Sequence, residues 1–301
     1  MSELERMARG MKRRNHIKRR KRRKHLLMIR RCMFCILYGF LVALIAKGVQ
    51  GIYKKNQASS QSVELVSAVT EVSTREAVTT SSIKGYKNKL KKIEENAFQY
   101  SVDLIELAKK NPETIDFVLE YLEKKDIQHN IDLSDSYTYG EIPYLLQWDE
   151  RWGYQTYGDD MIGLSGCGPV CLSMVYIGLT GDTELHPKEM AAFSMRAGYY
   201  VEGTGTSWNL MTEGAVSIGL QAREISLNES VMMDELLAGR VMICSMRPGD
   251  FTTSGHFIVI YGYQDGNFQV YDPNRRKNSE RGWSFQELEY QINNLWAYSA
   301  G

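Results

Sequence analysis

A cysteine set between two glycines and followed by proline, Ser165-Gly166-Cys167-Gly168-Pro169, is the stretch of this chain best suited to chemistry. Proline is favoured in the first turn of a helix, and the apolar run Val170 to Leu179 follows. Cys167 is therefore expected at or just before a helix N-terminus. The partial positive charge and unpaired N–H groups of that end favour a thiolate. The flanking glycines would let a substrate backbone approach closely. This is a setting for a nucleophile, and a nucleophilic cysteine needs a base.

Histidine is the usual base, and only His129, His186 and His256 follow residue 53. His129 falls in a polar loop between segments. His186 precedes Pro187 where a helix should begin and reads as a cap. His256 opens the apolar strand Phe257-Ile258-Val259-Ile260-Tyr261, with Ser254-Gly255 before it to give access. Elimination assigns His256 as the base, although a histidine at a strand end can also be merely packed.

A third group should orient the imidazole. Asp265-Gly266 marks a hairpin, and the return strand Phe268-Gln269-Val270-Tyr271 runs into Asp272-Pro273-Asn274. A two-residue turn would pair Asp272 with Val259 and point it to the face opposite His256. A three-residue loop, with Gly266 left-handed at a bulge, pairs Asp272 with Ile258 and sets it diagonally beside His256. The bulged loop is the expectation and Asp272 the orienting group; the plainer alternative is a turn residue before proline. For the oxyanion, the Cys167 backbone N–H is one donor and the Gln147 side chain the second, unless Gln147 only packs beside Trp148 and Trp152.

These residues must be carried by a core. Helical patterns are expected at 167–179, 187–197, 207–218, 229–238 and 284–292, and strands at 221–225, 240–246, 255–263, 267–272 and 294–299. All five tryptophans lie between 148 and 296. The order of elements predicts an α+β domain over 139–301. Cys171, one turn after Cys167, should point inward, and Cys244 should sit in a core strand. With Cys32 and Cys35 in an apolar segment, three cysteines remain, which argues against a disulfide framework.

The N-terminal third reads differently. Residues 1–31 hold fourteen Lys or Arg and two Glu, a charge of +12 inside a chain whose net charge is +1. An apolar segment follows over 32–53, long enough at about 20 residues to cross a bilayer. The heavier basic side predicts a cytoplasmic tail at 1–31, contacting anionic lipid, a transmembrane anchor at 32–53 and an extracellular catalytic domain. A cleaved signal peptide is the rival, since Ala46-Lys47-Gly48 fits a small-x-small site. Residues 54–84, rich in Ser, Thr, Val and Ala, read as a flexible stalk spanning roughly 30 Å. Over 85–138, apolar residues recur at helical spacing on both sides of Asn111-Pro112-Glu113, which predicts a helical hairpin acting as a spacer.

Several activities are excluded by motif. Gly203-Thr204-Gly205-Thr206-Ser207-Trp208 has tryptophan where a dinucleotide loop needs its third glycine, and no cofactor is expected. Thr206 or Ser207 should instead cap a helix. No phosphate-binding Gly-x-x-x-x-Gly-Lys-Ser/Thr loop occurs. No zinc spacing occurs outside the apolar segment, so no metal is expected. The basic tail abuts an apolar span, which makes a topology signal the better reading than a nucleic-acid arm.

The stretches Ile142-Pro143-Tyr144, Gln147-Trp148-Asp149, Gly166-Cys167-Gly168-Pro169, Gly205-Thr206-Ser207-Trp208, Gly255-His256-Phe257-Ile258-Val259 and Tyr271-Asp272-Pro273-Asn274 stand in a telling order. They resemble the papain-like cysteine peptidases of family 39, the bacteriocin-processing type, in its bacterial branch without a transporter. The resemblance implies a papain-like fold, with Cys167 as nucleophile, His256 as base, Asp272 as orienter and Gln147 in the oxyanion hole. Transporter-linked members place the glutamine about one turn before the cysteine, whereas Gln147 lies well upstream. The expected function is a membrane-anchored extracytoplasmic cysteine peptidase or amidase acting on a peptide or a cell-wall peptide. A surface-tethered binding module that keeps the fold without turnover is the alternative.

Overall fold

The computed structural model describes residues 82–133 and 137–301. The basic tail 1–31, the apolar segment 32–53 and residues 54–81 of the expected stalk lie outside the described residues. Among the described residues, no helix is long and apolar enough to cross a membrane.

The core is a five-stranded antiparallel sheet: β1 (Leu220–Glu224), β2 (Val241–Met246), β3 (His256–Gln264), β4 (Asn267–Tyr271) and β5 (Ile292–Ala300), in the spatial order β1-β5-β2-β3-β4. The central strand β2 is buried along its whole length, and its alternate residues serve opposite faces. Val241 and Ile243 join a cluster with Val170, Met174 and Val175, while Met242, Cys244 and Met246 join Met232, Phe251 and Trp283. Apolar cores on both faces of a sheet, with helices outside them, give the expected α+β class.

The helix that begins at the cysteine runs Cys167–Thr180 and packs against β3. Every residue from Gly168 to Ile177 is buried, so this helix is apolar on all sides and lies inside the domain. Gly181, at φ 76°, takes the left-handed conformation that ends it. Next to it packs the helix Pro187–Arg196, whose N-terminus His186 caps with its side chain.

The hairpin between β3 and β4 differs from expectation in an instructive way. It closes by a two-residue turn, with Gln264 paired to Asn267 and both Asp265 (φ 52°) and Gly266 (φ 79°) left-handed. The extra residue lies further back, where the register shifts between Ile260 and Gly262, so that Val259 pairs with Tyr271. The bulge inside the strand therefore produces the alignment that a three-residue loop was expected to give. Glycine within a strand is its sequence mark.

The expected hairpin over 85–138 is three helices instead of two. Residues 82–95 are helical, which moves 82–84 out of the stalk, and Val102–Lys110 and Ile115–Lys124 follow. The chain breaks before Val102 because the Ser101 side chain caps that helix by accepting from Leu104 N. These helices bury Ile93, Leu104, Ala108 and Val118 against Leu146, Trp148 and Tyr154 of the sheet domain. The rings of Phe117 and Tyr154 stack at 4.3 Å between centroids.

Two further expected helices are shortened. The stretch 207–218 divides into a 3-10 turn, Trp208–Met211, and a short helix, Glu213–Ser217. Ser207 caps the first by accepting from Asn209 N, while Thr206 belongs to the small hairpin Tyr200–Val201 and Gly205–Thr206. At the C-terminal end, Ser284 and Glu287 form a capping box on Phe285–Leu288, and strand β5 has begun by Ile292.

Candidate active site

Cys167 is the first residue of its helix and is partly exposed. Its neighbours explain the glycines on either side. A Cβ on Gly166 would stand 2.6 Å from the Ile162 carbonyl oxygen, and one on Gly168 would stand 2.7 Å from the Thr206 side chain. The glycines thus make room for the protein's own chain, rather than for a substrate backbone as their sequence setting suggested. Behind Gly168, the Tyr157 hydroxyl is hydrogen-bonded to Thr206 Oγ1 (2.8 Å) and Ser194 Oγ (2.9 Å), a buried polar triplet that fixes the small hairpin under the cysteine turn.

His256 opens β3 opposite Met246 and is buried. Its Nε2 lies 2.7 Å from Asp272 Oδ1. Cys167 adjoins the ring closely enough to act on its charge. With Nε2 given to Asp272, Nδ1 is the nitrogen left to face the sulfur. Burial opposes a charge on this ring, but the adjacent Asp272 carboxylate, the bond to it and the neighbouring Cys167 outweigh it and raise the pKa to about 10. The balance favours the protonated form of the ring.

Asp272 follows β4 directly and has no exposed surface. Burial disfavours its charge, and the His256 ring together with bonds from Asn274 and Asn278 overcomes that cost and holds the carboxyl below its usual range. Oδ1 accepts from Asn274 N (2.8 Å) and Arg275 N (3.1 Å), and Oδ2 accepts from Asn278 Nδ2 (2.6 Å). Asp272 N donates to Ser279 Oγ at 2.9 Å. Asn278 and Ser279 escaped the sequence reading, because nothing in their spacing reveals that the turn Arg276–Ser279 folds back onto Asp272.

Gln147 is buried beside the same loop, and its backbone N donates to Pro273 O (2.8 Å). Its neighbours do likewise: Tyr144 Oη donates to Asp272 O (2.8 Å) and Trp148 Nε1 to Asn274 O (2.7 Å). The Gln147 side chain turns toward the cysteine turn, where Nε2 donates to Gly163 O (2.9 Å) and makes a longer contact with Leu164 O (3.4 Å). Its Oε1 is buried without a partner. The structure thus joins His256 to Asp272 with Cys167 adjoining the ring, and sets Gln147 between the Asp272 loop and the turn that enters Cys167. Tyr271, stacked between Tyr144 (4.8 Å) and Tyr261 (3.9 Å), forms an aromatic wall at the end of β4.

The remaining candidates stand apart from this set. His186 is a helix cap, and Cys171 and Cys244 are fully buried in the core with burial pushing both thiols up. Among the described residues no group of His, Cys, Asp and Glu has the arrangement of a metal site.

The profile of the Peptidase_C39 like family matches residues 139–300. Among solved structures, the peptidase domain of Streptococcus ComA, a bi-functional ABC transporter involved in a quorum-sensing pathway, is similar at 18% identity and a TM-score of 0.35. That match covers 46% of this chain and 93% of the other. A protein described as a C39-like peptidase from Bacillus anthracis is similar at 14% identity and a TM-score of 0.31, over 54% of this chain and 96% of that one. No match was found among curated proteins.

Proposed function

Because the chain belongs to the Peptidase_C39 like family through residues 139–300, we propose that it is a papain-like cysteine peptidase or amidase that works through Cys167, His256 and Asp272. The buried 2.7 Å contact between His256 Nε2 and Asp272 Oδ1, with Cys167 adjoining the same ring, is the observation that carries this reading. In this mechanism His256 serves as the acid and the Cys167 sulfur, at the helix N-terminus, attacks as the thiolate nucleophile. The Cys167 Sγ–carbon bond forms as the carbonyl π pair moves onto oxygen. The tetrahedral anion then collapses, and His256 Nδ1–H protonates the departing amine. The neutral ring next takes a proton from water, whose oxygen attacks the thioester. Release of the acid product restores thiolate and imidazolium.

The anion needs donors. Backbone N–H groups in the first turn of the Cys167 helix have no partner within the helix and face that end. Gln147 has already given its amide to Gly163 O, and it would contribute by releasing its longer contact with Leu164 O.

Labelling with a thiol-directed electrophile tests the reading. Cys167 should react stoichiometrically and faster than a free thiol, Cys171 and Cys244 should stay unmodified, and His256→Ala should slow the reaction. Hydrolysis of a peptide mixture that survives Cys167→Ala would defeat it.

The reading extends to location. Fourteen bases against two acids in residues 1–31, followed by the apolar segment 32–53, support a membrane anchor with the domain outside and the tail on anionic lipid. Protease added to intact cells should release the domain; full protection would reverse the orientation.

A further inference from the structure

Residues 82–124 lie outside the stretch that matches the family, yet they grip the loop that carries Asp272. The contacts come from the Lys110–Glu113 turn between two helices. The Glu113 carboxylate accepts from Arg276 N (2.9 Å) and Lys277 N (3.2 Å). These are the first N–H groups of the turn Arg276–Ser279, which no side chain of its own caps. A helix start presents unpaired donors and favours a negative charge, so Glu113 supplies from 163 residues upstream the cap that this turn lacks.

Asn111, itself buried, donates through Nδ2 to Asn274 O (2.6 Å). It accepts at Oδ1 from Glu113 N (3.2 Å), which ties the two grips together. Arg275 completes the join by donating to the Lys110 carbonyl at 2.7 Å.

The residues held in this way are the ones that hold Asp272. Asn274 N and Arg275 N donate to Oδ1, while Asn278 and Ser279 of the capped turn bind Oδ2 and the Asp272 backbone N–H. We propose that Glu113 and Asn111 are positioning residues of the active site, fixing the Asp272 carboxylate against His256 through the loop 274–279, so that the helical segment is a working part of the peptidase rather than a spacer. This inference rests on the triad reading above.

The titratable groups that act on the His256 ring are Asp272 and Cys167, with Arg275, Arg276 and Lys277 in the adjoining loop. If Glu113 lets go, Asp272 loses its fixed place and couples less strongly to the ring. The test uses the full-length chain carrying Glu113→Ala, Glu113→Gln, Arg275→Ala or Asp116→Ala. Asp116 pairs with Lys89 inside the helical segment and serves as the control. Two readouts are taken: the NMR titration of the His256 ring, which needs no turnover, and the pH profile of Cys167 alkylation.

Glu113→Ala should lower the His256 titration midpoint and pull down the alkaline limb of the alkylation profile. Alkylation above the wild-type midpoint should fall about threefold to tenfold, the factor of one ordinary hydrogen bond, and should stay nearly unchanged near neutral pH. Glu113→Gln, which keeps an acceptor oxygen, should restore much of the change. Arg275→Ala should move both readouts the same way, and Asp116→Ala should move neither. An unchanged His256 midpoint in Glu113→Ala and Arg275→Ala would overturn the inference, whatever their melting temperatures. Failure of the peptidase reading is separate: wild-type Cys167 would show no enhanced alkylation while His256 still responded to Glu113.

Discussion

Asp272 meets His256 with every other side of its carboxylate occupied. Oδ1 lies 2.7 Å from the ring Nε2 and also accepts two backbone N–H groups, while Oδ2 takes the Asn278 amide. A carboxylate so enclosed cannot swing, so the ring it holds has one orientation. That orientation leaves Nδ1 as the ring nitrogen that Asp272 does not engage.

The pair should confer a defined pH dependence. Folding raises the His256 pKa from 6.5 to about 10, so the stability it contributes is complete below about pH 6.5 and is lost as pH rises through about 10. Folding lowers the Asp272 value from 3.8, so its contribution is present above that pH and disappears as pH falls through the lowered value. The melting temperature should decline between pH 6.5 and 10 in the wild type, and the decline should flatten in His256→Gln. The alkaline limb of kcat/KM should track loss of the same proton.

Asp272→Ala should damage both stability and rate. It leaves the N–H groups of Asn274 and Arg275 and the Asn278 amide without their acceptor, at about 1–3 kcal/mol for each buried group left unmade. It also frees the ring, and losing an oriented acid should lower kcat on the order of 10²–10⁴-fold. Asp272→Asn keeps one oxygen for the backbone donors, so urea denaturation should show part of the stability recovered while kcat stays low.

How far these residues could be read from the sequence depends on the range of the interaction. Cys167 was legible because Gly-Cys-Gly-Pro followed by an apolar run is a local signal of a helix start. His256 was legible by elimination, and Asp272 by a register argument whose outcome held although its route did not. The bulge at Tyr261 had a local mark in Gly262, which went unread. Ser101 was likewise an available cap signal. Asn111, Glu113 and Asn278 had none, since their partners lie across folded loops. Gln147 shows the same limit: its residue type suggested a donor, but only packing reveals that Gly163 O already holds it.

The cysteine-flanking glycines should separate by rescue. Gly168→Ala presses a methyl against Thr206 Cγ2, Oγ1 and Cβ, all under 3 Å away, and overpacking of this kind costs about 1–3 kcal/mol. Thr206→Gly removes all three atoms, so the double variant should recover much of that loss in a thermal-denaturation cycle. Gly166→Ala collides with the Ile162 backbone as well as its side chain. No side-chain substitution at Ile162 should rescue it.

Gln147 offers a choice between two roles that one pair of measurements decides. As a brace it ties the turn before Cys167 to the Asp272 loop through Gly163 O and Pro273 O. Gln147→Ala would then lower the unfolding free energy by about 1 kcal/mol and reduce kcat only modestly. As an oxyanion donor it would be needed in the transition state alone. Its loss would then cost about 10²–10³-fold in kcat at nearly constant KM and nearly constant stability. The engaged Nε2 favours the brace. Gln147→Glu sharpens the distinction, because a carboxylate facing the Gly163 carbonyl repels it and has no proton to donate there. Under the brace reading this variant should be less stable than Gln147→Ala, since a missing bond costs less than a repulsive one. Equal stability for the two, with kcat collapsed in both, would instead place the amide at the developing anion.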